Sequence, residues 1–560
     1  MRTRLLSAVV PLMLGMTLIL PTAGPARPAL AQQMPAAGHT DHQDHSDHTA
    51  QLGSVQFVTT CNPAVQADFN RAVAMYHSFW WEPAREAFSA IAAADPSCGM
   101  AYWGLAQSWL QNPFTVPNPQ WVQQGAAAAE RASAVGARTE RERAFIAALT
   151  ELFRDYETVP QATRQLNYQQ AMEGVYTAYP EDREAAVFYA LSLAFTTPAT
   201  DKTYANSLRG AAILEDVFAE QPGHPGVTHY LIHSYDYPPL AQQGAAAARR
   251  YASIAPAVPH AQHMPSHIFT RLGYWQDSIQ TNLGSVAAAW TDAGAQPDVA
   301  PPDVLHPMDY LTYAYLQGAQ DQQAARVRDE AQAFRTSRQQ NFGEAFAFAA
   351  IPARYALERG QWSEAAALAR QPSDFPWNRF PEAEAILVFA QGLGAARSGD
   401  ASSAQQAVAQ LEQFRDALQA RRDAYWSEQT EIQRQELVAW IALAEGRQAE
   451  ALELMRAAAA LEATTEKAPV SPGPIVPARE LLGDMLLLQN QPREALVAYA
   501  ASEQVEPNRF RGLYGAARAA ELAGEAEIAR DYYTRLLAVS ADADTDRPEL
   551  QQARGFLARS

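Results

Sequence analysis

At 560 residues the chain exceeds what one ordinary hydrophobic core supports, so several domains or a repeat array are expected. Its formal charge of −18 opposes non-specific binding to nucleic acid or to an anionic membrane surface. Its lysines, Lys202 and Lys467, lie in no glycine-rich phosphate loop, which excludes a nucleotide-cleaving P-loop.

The first residues read Met1-Arg-Thr-Arg4, followed by an apolar run from Leu5 to Leu20 and a small-residue stretch ending Ala29-Leu30-Ala31. That order is a bacterial secretory signal over 1–31 with cleavage after Ala31, and it predicts an exported protein, periplasmic or extracellular. Losing Arg2, Arg4 and Arg27 takes the charge from −18 to −21. The apolar run contains Pro11 and is shorter than the roughly twenty residues of a spanning helix, so no membrane span is expected after cleavage.

Residues 32–58 read as a disordered polar tail carrying His39, His42, His45 and His48 with interleaved aspartates. Imidazole and carboxylate together suit a divalent ion such as Zn, Cu or Ni, which a flexible segment can wrap; a merely solvated tail is the alternative. Two helices are then predicted, over about Pro63–Phe79 and Glu82–Ala94, and they leave Cys61 and Cys98 at the same open end of one hairpin. An oxidising compartment permits a disulfide there; two buried thiols are the other reading.

Helix–turn–helix signals continue down the chain. Ala84, Phe88 and Pro96 sit at small, aromatic and closing positions, and Tyr102, Leu105, Ala106 and Trp109 open the next unit. Junctions with glycine at the turn follow at Leu272-Gly273-Tyr274-Trp275, at Glu358-Arg-Gly-Gln-Trp362 and at Ala444-Glu-Gly446. Residues 464–477, with Pro469, Pro472, Pro474 and Pro477, cannot be helical and read as a linker or as a lid over the inner surface. Beyond them a 34-residue period is clean: Leu482-Gly483 recurs as Ala516-Ala517, Ala495 as Ala529 and Tyr499 as Tyr533.

These motifs resemble the tetratricopeptide repeat family over roughly residues 63 to 545. The resemblance implies an all-α fold, a right-handed superhelical α-solenoid. It divides the chain into an N-terminal array at 59–290, irregular helical pairs at 291–463, the Pro-rich loop at 464–477 and a C-terminal repeat pair at 478–560. The strings His229-Tyr-Leu-Ile-His233-Ser-Tyr-Asp-Tyr-Pro-Pro239 and His260-Ala-Gln-His-Met-Pro-Ser-His-Ile-Phe269 also look like a group of uncharacterised secreted bacterial tetratricopeptide proteins, which implies export but no reaction.

Histidine says more than fold. His229 and His233 are four apart, hence on one helix face, as are His263 and His267, and the step between the pairs is 34 residues. The two pairs take equivalent places in successive repeats, with His260 earlier on the second of these helices; in this family such places line the concave surface, so the resemblance implies five imidazoles on one patch, with Asp236 near. Zinc needs three or four N, O or S ligands, which these pairs could supply. A peptide-binding patch, or packing against Tyr230, Tyr235 and Tyr237, stands as the alternative, and Pro265 threatens to splay the second pair. His77 is expected to pack among Phe79, Trp80 and Trp81, and the register of His306 is open.

Enzyme signatures are sparse. The glutamate of a zinc-protease motif is missing after His229, and there is neither a Gly-x-Ser-x-Gly elbow nor a Cys-x-x-Cys pair. The leading expectation is a periplasmic scaffold holding a protein, a peptide or a metal ion in its groove; the alternative is a metal-dependent hydrolase built on the solenoid.

Overall fold

The computed structural model describes residues 52–559 apart from 294, 295 and 297. The signal segment and the tail histidines His39, His42, His45 and His48 lie outside the described residues. The described chain is all-α. Helix follows helix, each packing against the next in sequence, so the protein is a solenoid of consecutive pairs. Among the described residues the sole strands are Val299–Ala300 and Thr336–Ser337, a two-residue parallel pair. No described helix is long and apolar enough to cross a membrane.

Small residues and aromatics make the pairs close. A Cβ on Gly483 or on Gly515 would come within 2.6 Å and 2.3 Å of the Tyr499 ring. Tyr499 on the helix Pro492–Glu503 therefore fills the groove between the helices Ala478–Leu488 and Phe510–Ala523. Phe88 uses Gly104 in the same way, 2.2 Å from that glycine's missing Cβ. At the turn, Gly273 has φ of 66°, a left-handed conformation that ends one helix and starts the next.

Within the segment 32–58, expected to be a disordered tail, the described residues 52–58 are packed against the first helices. Leu52, Val55 and Phe57 are buried, and Phe57 sits among Phe69, Trp103 and Phe145 with ring centroids 5.6, 5.4 and 5.1 Å away. Burial of three apolar side chains docks this segment there, so the tail expected over 32–58 does not extend through 52–58. Cys61 and Cys98 are joined by a disulfide that closes the first hairpin, Gln66–His77 and Trp81–Ala94.

The middle pairs are longer, with Pro381–Ser398, Ala401–Ala420 and Ala424–Ala444 reaching 18, 20 and 21 residues. The C-terminal segment forms the pairs Ala478–Leu488 with Pro492–Glu503 and Phe510–Ala523 with Ala526–Val539, closed by Pro548–Arg559.

The loop 464–477 crosses the inside of the array. Arg354, fully buried, donates to the carbonyls of Pro474 and Gly473 at 2.9 Å each and to Ser471 Oγ at 3.1 Å. Tyr310 Oη meets the carbonyls of Pro469 and Ser471 at 3.2 Å each, and the Ala468 N–H donates to Tyr425 Oη at 2.7 Å. Glu466 accepts from Lys202 and from Tyr204, both at 2.8 Å. The loop is thus tied to helices from across the chain, the contacts of a lid and not of a linker.

Candidate metal centre

Three helical segments carry the site. Pro225–Tyr235 presents His229 and His233 one turn apart, and both turn inward. The segments Pro259–His263 and Pro265–Arg271 run on through Met264, which keeps right-handed helical angles (φ −52°, ψ −36°), so Pro265 starts a new turn without splaying His263 from His267. Leu305–Gln317 brings in His306 and Tyr310.

All five histidines singled out in the sequence lie together, and His306 joins them. They form two triads, His229 with His233 and His260, and His263 with His267 and His306; within each triad the candidate ligand atoms lie within 4.8 Å of one another. His229 Nε2 is 3.1 Å from His233 Nε2 and 3.1 Å from His260 Nε2, and His263 Nε2 is 3.1 Å from His267 Nε2. Two nitrogens bound to one zinc or similar ion at tetrahedral angles are about 3.3 Å apart, so these spacings suit shared ligation. The triads adjoin: His233 and His267 have ring centroids 6.0 Å apart, and His260 and His263 6.1 Å.

The other ring nitrogens decide where the protons are. His229 Nδ1 is 2.6 Å from the carbonyl of His77, which can only accept, so Nδ1 holds the proton and Nε2 carries a lone pair. Asn282 Nδ2 donates to the Ser278 carbonyl at 2.7 Å, leaving Oδ1 to accept from His263 Nδ1 at 2.6 Å. His267 Nδ1 is 3.0 Å from Asp236 Oδ2 and donates to that carboxylate. His263 and His267 therefore aim two lone pairs at each other across 3.1 Å. Protons do not resolve this conflict. Burial, with neighbouring imidazoles, pushes His229, His233, His260, His263 and His306 well below the usual histidine range; burial lowers His267 too, despite Asp236. Neutral rings with converging bare nitrogens fit a cation.

The surroundings hold these rings in place. Asp236 takes Arg271 Nε at 2.9 Å and Lys467 Nζ at 3.2 Å, the latter delivered by the loop. Although burial raises it, Lys467 and Arg271 hold the Asp236 carboxyl well below the usual range. Lys467 itself is pushed down to about 8 by burial and by Arg271. Phe114 stacks on His233 with centroids 4.4 Å apart, and Phe79 on His260 at 5.2 Å.

A third cluster, His77 with Glu184 and His224, is complete without an ion. His224 Nδ1 accepts from the Val227 N–H at 3.3 Å, so its Nε2 donates to Glu184 at 2.9 Å. His77 Nδ1 meets Tyr230 Oη and its Nε2 meets Glu184, both at 2.9 Å. Every polar atom has a partner, and the cluster's place is behind the first triad, where the His77 carbonyl fixes His229. His77 was expected to pack among Phe79, Trp80 and Trp81; it faces Glu184 and Tyr230 because a buried imidazole needs partners for both nitrogens. Tyr235, one of the tyrosines considered for the histidines, bonds Glu215 instead, at 2.6 Å.

No family model matches the chain, and no curated protein matches its sequence.

Proposed function

We propose that this chain is an exported solenoid of tetratricopeptide type that binds transition-metal ions inside its array, at the two histidine triads. The observation that carries the reading is the pair of bare nitrogens, His263 Nε2 and His267 Nε2, held 3.1 Å apart by acceptors on their far sides. Four of the six rings are buried, and His260 and His306 are half-buried, which favours an ion over a peptide lying along an open groove. Six imidazole donors suit zinc or copper better than the hard, oxygen-seeking magnesium or calcium.

The test uses the full chain with His39→Ala, His42→Ala, His45→Ala and His48→Ala, so that tail binding does not count. Elemental analysis after loading with zinc or copper and removal of loose metal is expected to give stoichiometric metal. The further change His233→Ala with His263→Ala should abolish it while far-ultraviolet circular dichroism stays helical. A parent protein that retains no metal would end the reading.

A further inference from the structure

We propose that the two triads act as one centre, holding a pair of copper ions that take dioxygen between them. The inference rests on the metal-binding reading above and goes beyond it in naming the nuclearity and the ligand.

Helical geometry sets the pair. His260 and His263 lie one turn apart on the same short helix, yet His260 belongs to the first triad and His263 to the second. Two ions bound there sit about one turn, roughly 5 Å, apart, within reach of one diatomic ligand. Each triad supplies three nitrogen donors, which leaves a fourth position open on each ion.

Charge argues for copper and for dioxygen. The donors are six neutral imidazoles. The carboxylate that touches them, Asp236, is already offset by Arg271 and Lys467. Two divalent ions would place four positive charges in a buried pocket with no anion to balance them, which is costly. Two cuprous ions bring only two. On dioxygen binding each cuprous ion gives up one electron, the O–O π bond is broken, and a peroxide dianion bridges two cupric ions. The centre's charge stays at plus two, and no outside reductant or proton is needed for the binding step. The aromatic cover of Phe79, Phe114 and Tyr310 admits a small apolar gas and screens bulk water, with half-buried His260 and His306 marking the approach.

The test loads the full chain, with the four tail histidines replaced by alanine, with cuprous ion under anaerobic conditions and then admits dioxygen. Expected are two coppers per chain, one dioxygen taken up per pair, an intense new near-ultraviolet charge-transfer band, and almost no cupric paramagnetic resonance signal, because the two spins pair through the bridge. His306→Gln should keep one copper, lose the band and show an isolated cupric signal on oxidation; should it fail to fold, His260→Gln serves for the other triad. Two coppers that oxidise to two full cupric signals without the band would overturn the pair while leaving metal binding intact. A single copper in the parent would do the same. No copper at all would overturn both.

Discussion

Asn282 and Asp236 touch no other ring nitrogen than an Nδ1, yet they decide what His263 and His267 can bind. By accepting an N–H at 2.6 Å and at 3.0 Å they force both Nε2 atoms to face inward as lone pairs. Asn282→Leu should therefore weaken metal affinity by about 10- to 100-fold with little change in helicity, as read by competition with a chromophoric chelator; unchanged affinity would show that Asn282 is only packing. Asp236 was legible beside His233 in the sequence, and Asn282 was hidden. The recurrence of His229 and His233 as His263 and His267 was legible because side chains on one helix face repeat with the array. His306 follows no such phase, and an asparagine one helix away carries no signal of its role. Burial, with Glu506 and Glu480 near, pushes the Glu462 carboxyl well above the ordinary carboxylate range, against the pull of the Ala478 N–H. The folded state then keeps a proton that the unfolded chain releases, so this group's contribution is full below the ordinary carboxylate range and is lost as pH rises through the raised folded value. Urea midpoints should fall as pH rises above the ordinary carboxylate range, and Glu462→Gln should flatten that part of the profile.

The lid is the element with the most at stake. Its prolines remove N–H donors and leave it short turns such as Ser471 N–H to the Ala468 carbonyl at 3.1 Å, and Arg354 supplies partners for its carbonyls while pairing with Asp309 at 2.9 Å. Arg354→Met should strip that support and leave Asp309 as an uncompensated buried carboxylate, a loss of about 3–5 kcal/mol. Denaturant melts would show it, and limited proteolysis should then cut between residues 464 and 477 first. The prolines announced a non-helical segment in the sequence; that it folds inward was not legible, because the residues that hold it, Tyr310 and Arg354, are more than a hundred positions away. At the other end, the disulfide between Cys61 and Cys98 closes a 37-residue separation. Loop-closure entropy makes that worth about 4 kcal/mol, so reduction should lower the unfolding midpoint, with Cys61→Ala/Cys98→Ala matching the reduced protein.

At the scale of the molecule, two large cores meet at the site. One gathers buried residues from Leu52 to Phe269, the other from Trp275 to Ala519. The first triad belongs to helices of the first core, while His306 in the second triad stands on a helix of the other. An ion held at the second triad, as proposed, would therefore tie the halves together. Metal present at about a thousand times its dissociation constant should stabilise the fold by about 4 kcal/mol and sharpen its thermal transition; calorimetry with and without chelator would measure this. The solenoid itself was legible from glycine turns and small–aromatic spacing, since those features act within one hairpin. The convergence of two helical pairs and a distant lid on one pocket depends on superhelical winding, which local patterns do not encode.

Extended X-ray absorption at the metal edge of the loaded, tail-substituted chain tests the centre most directly. The expected result is a first shell of imidazole nitrogen at about 2.0 Å with the outer-ring scattering of several histidines. A shell dominated by carboxylate or water oxygen, or metal signal that survives His233→Ala with His263→Ala, would contradict it.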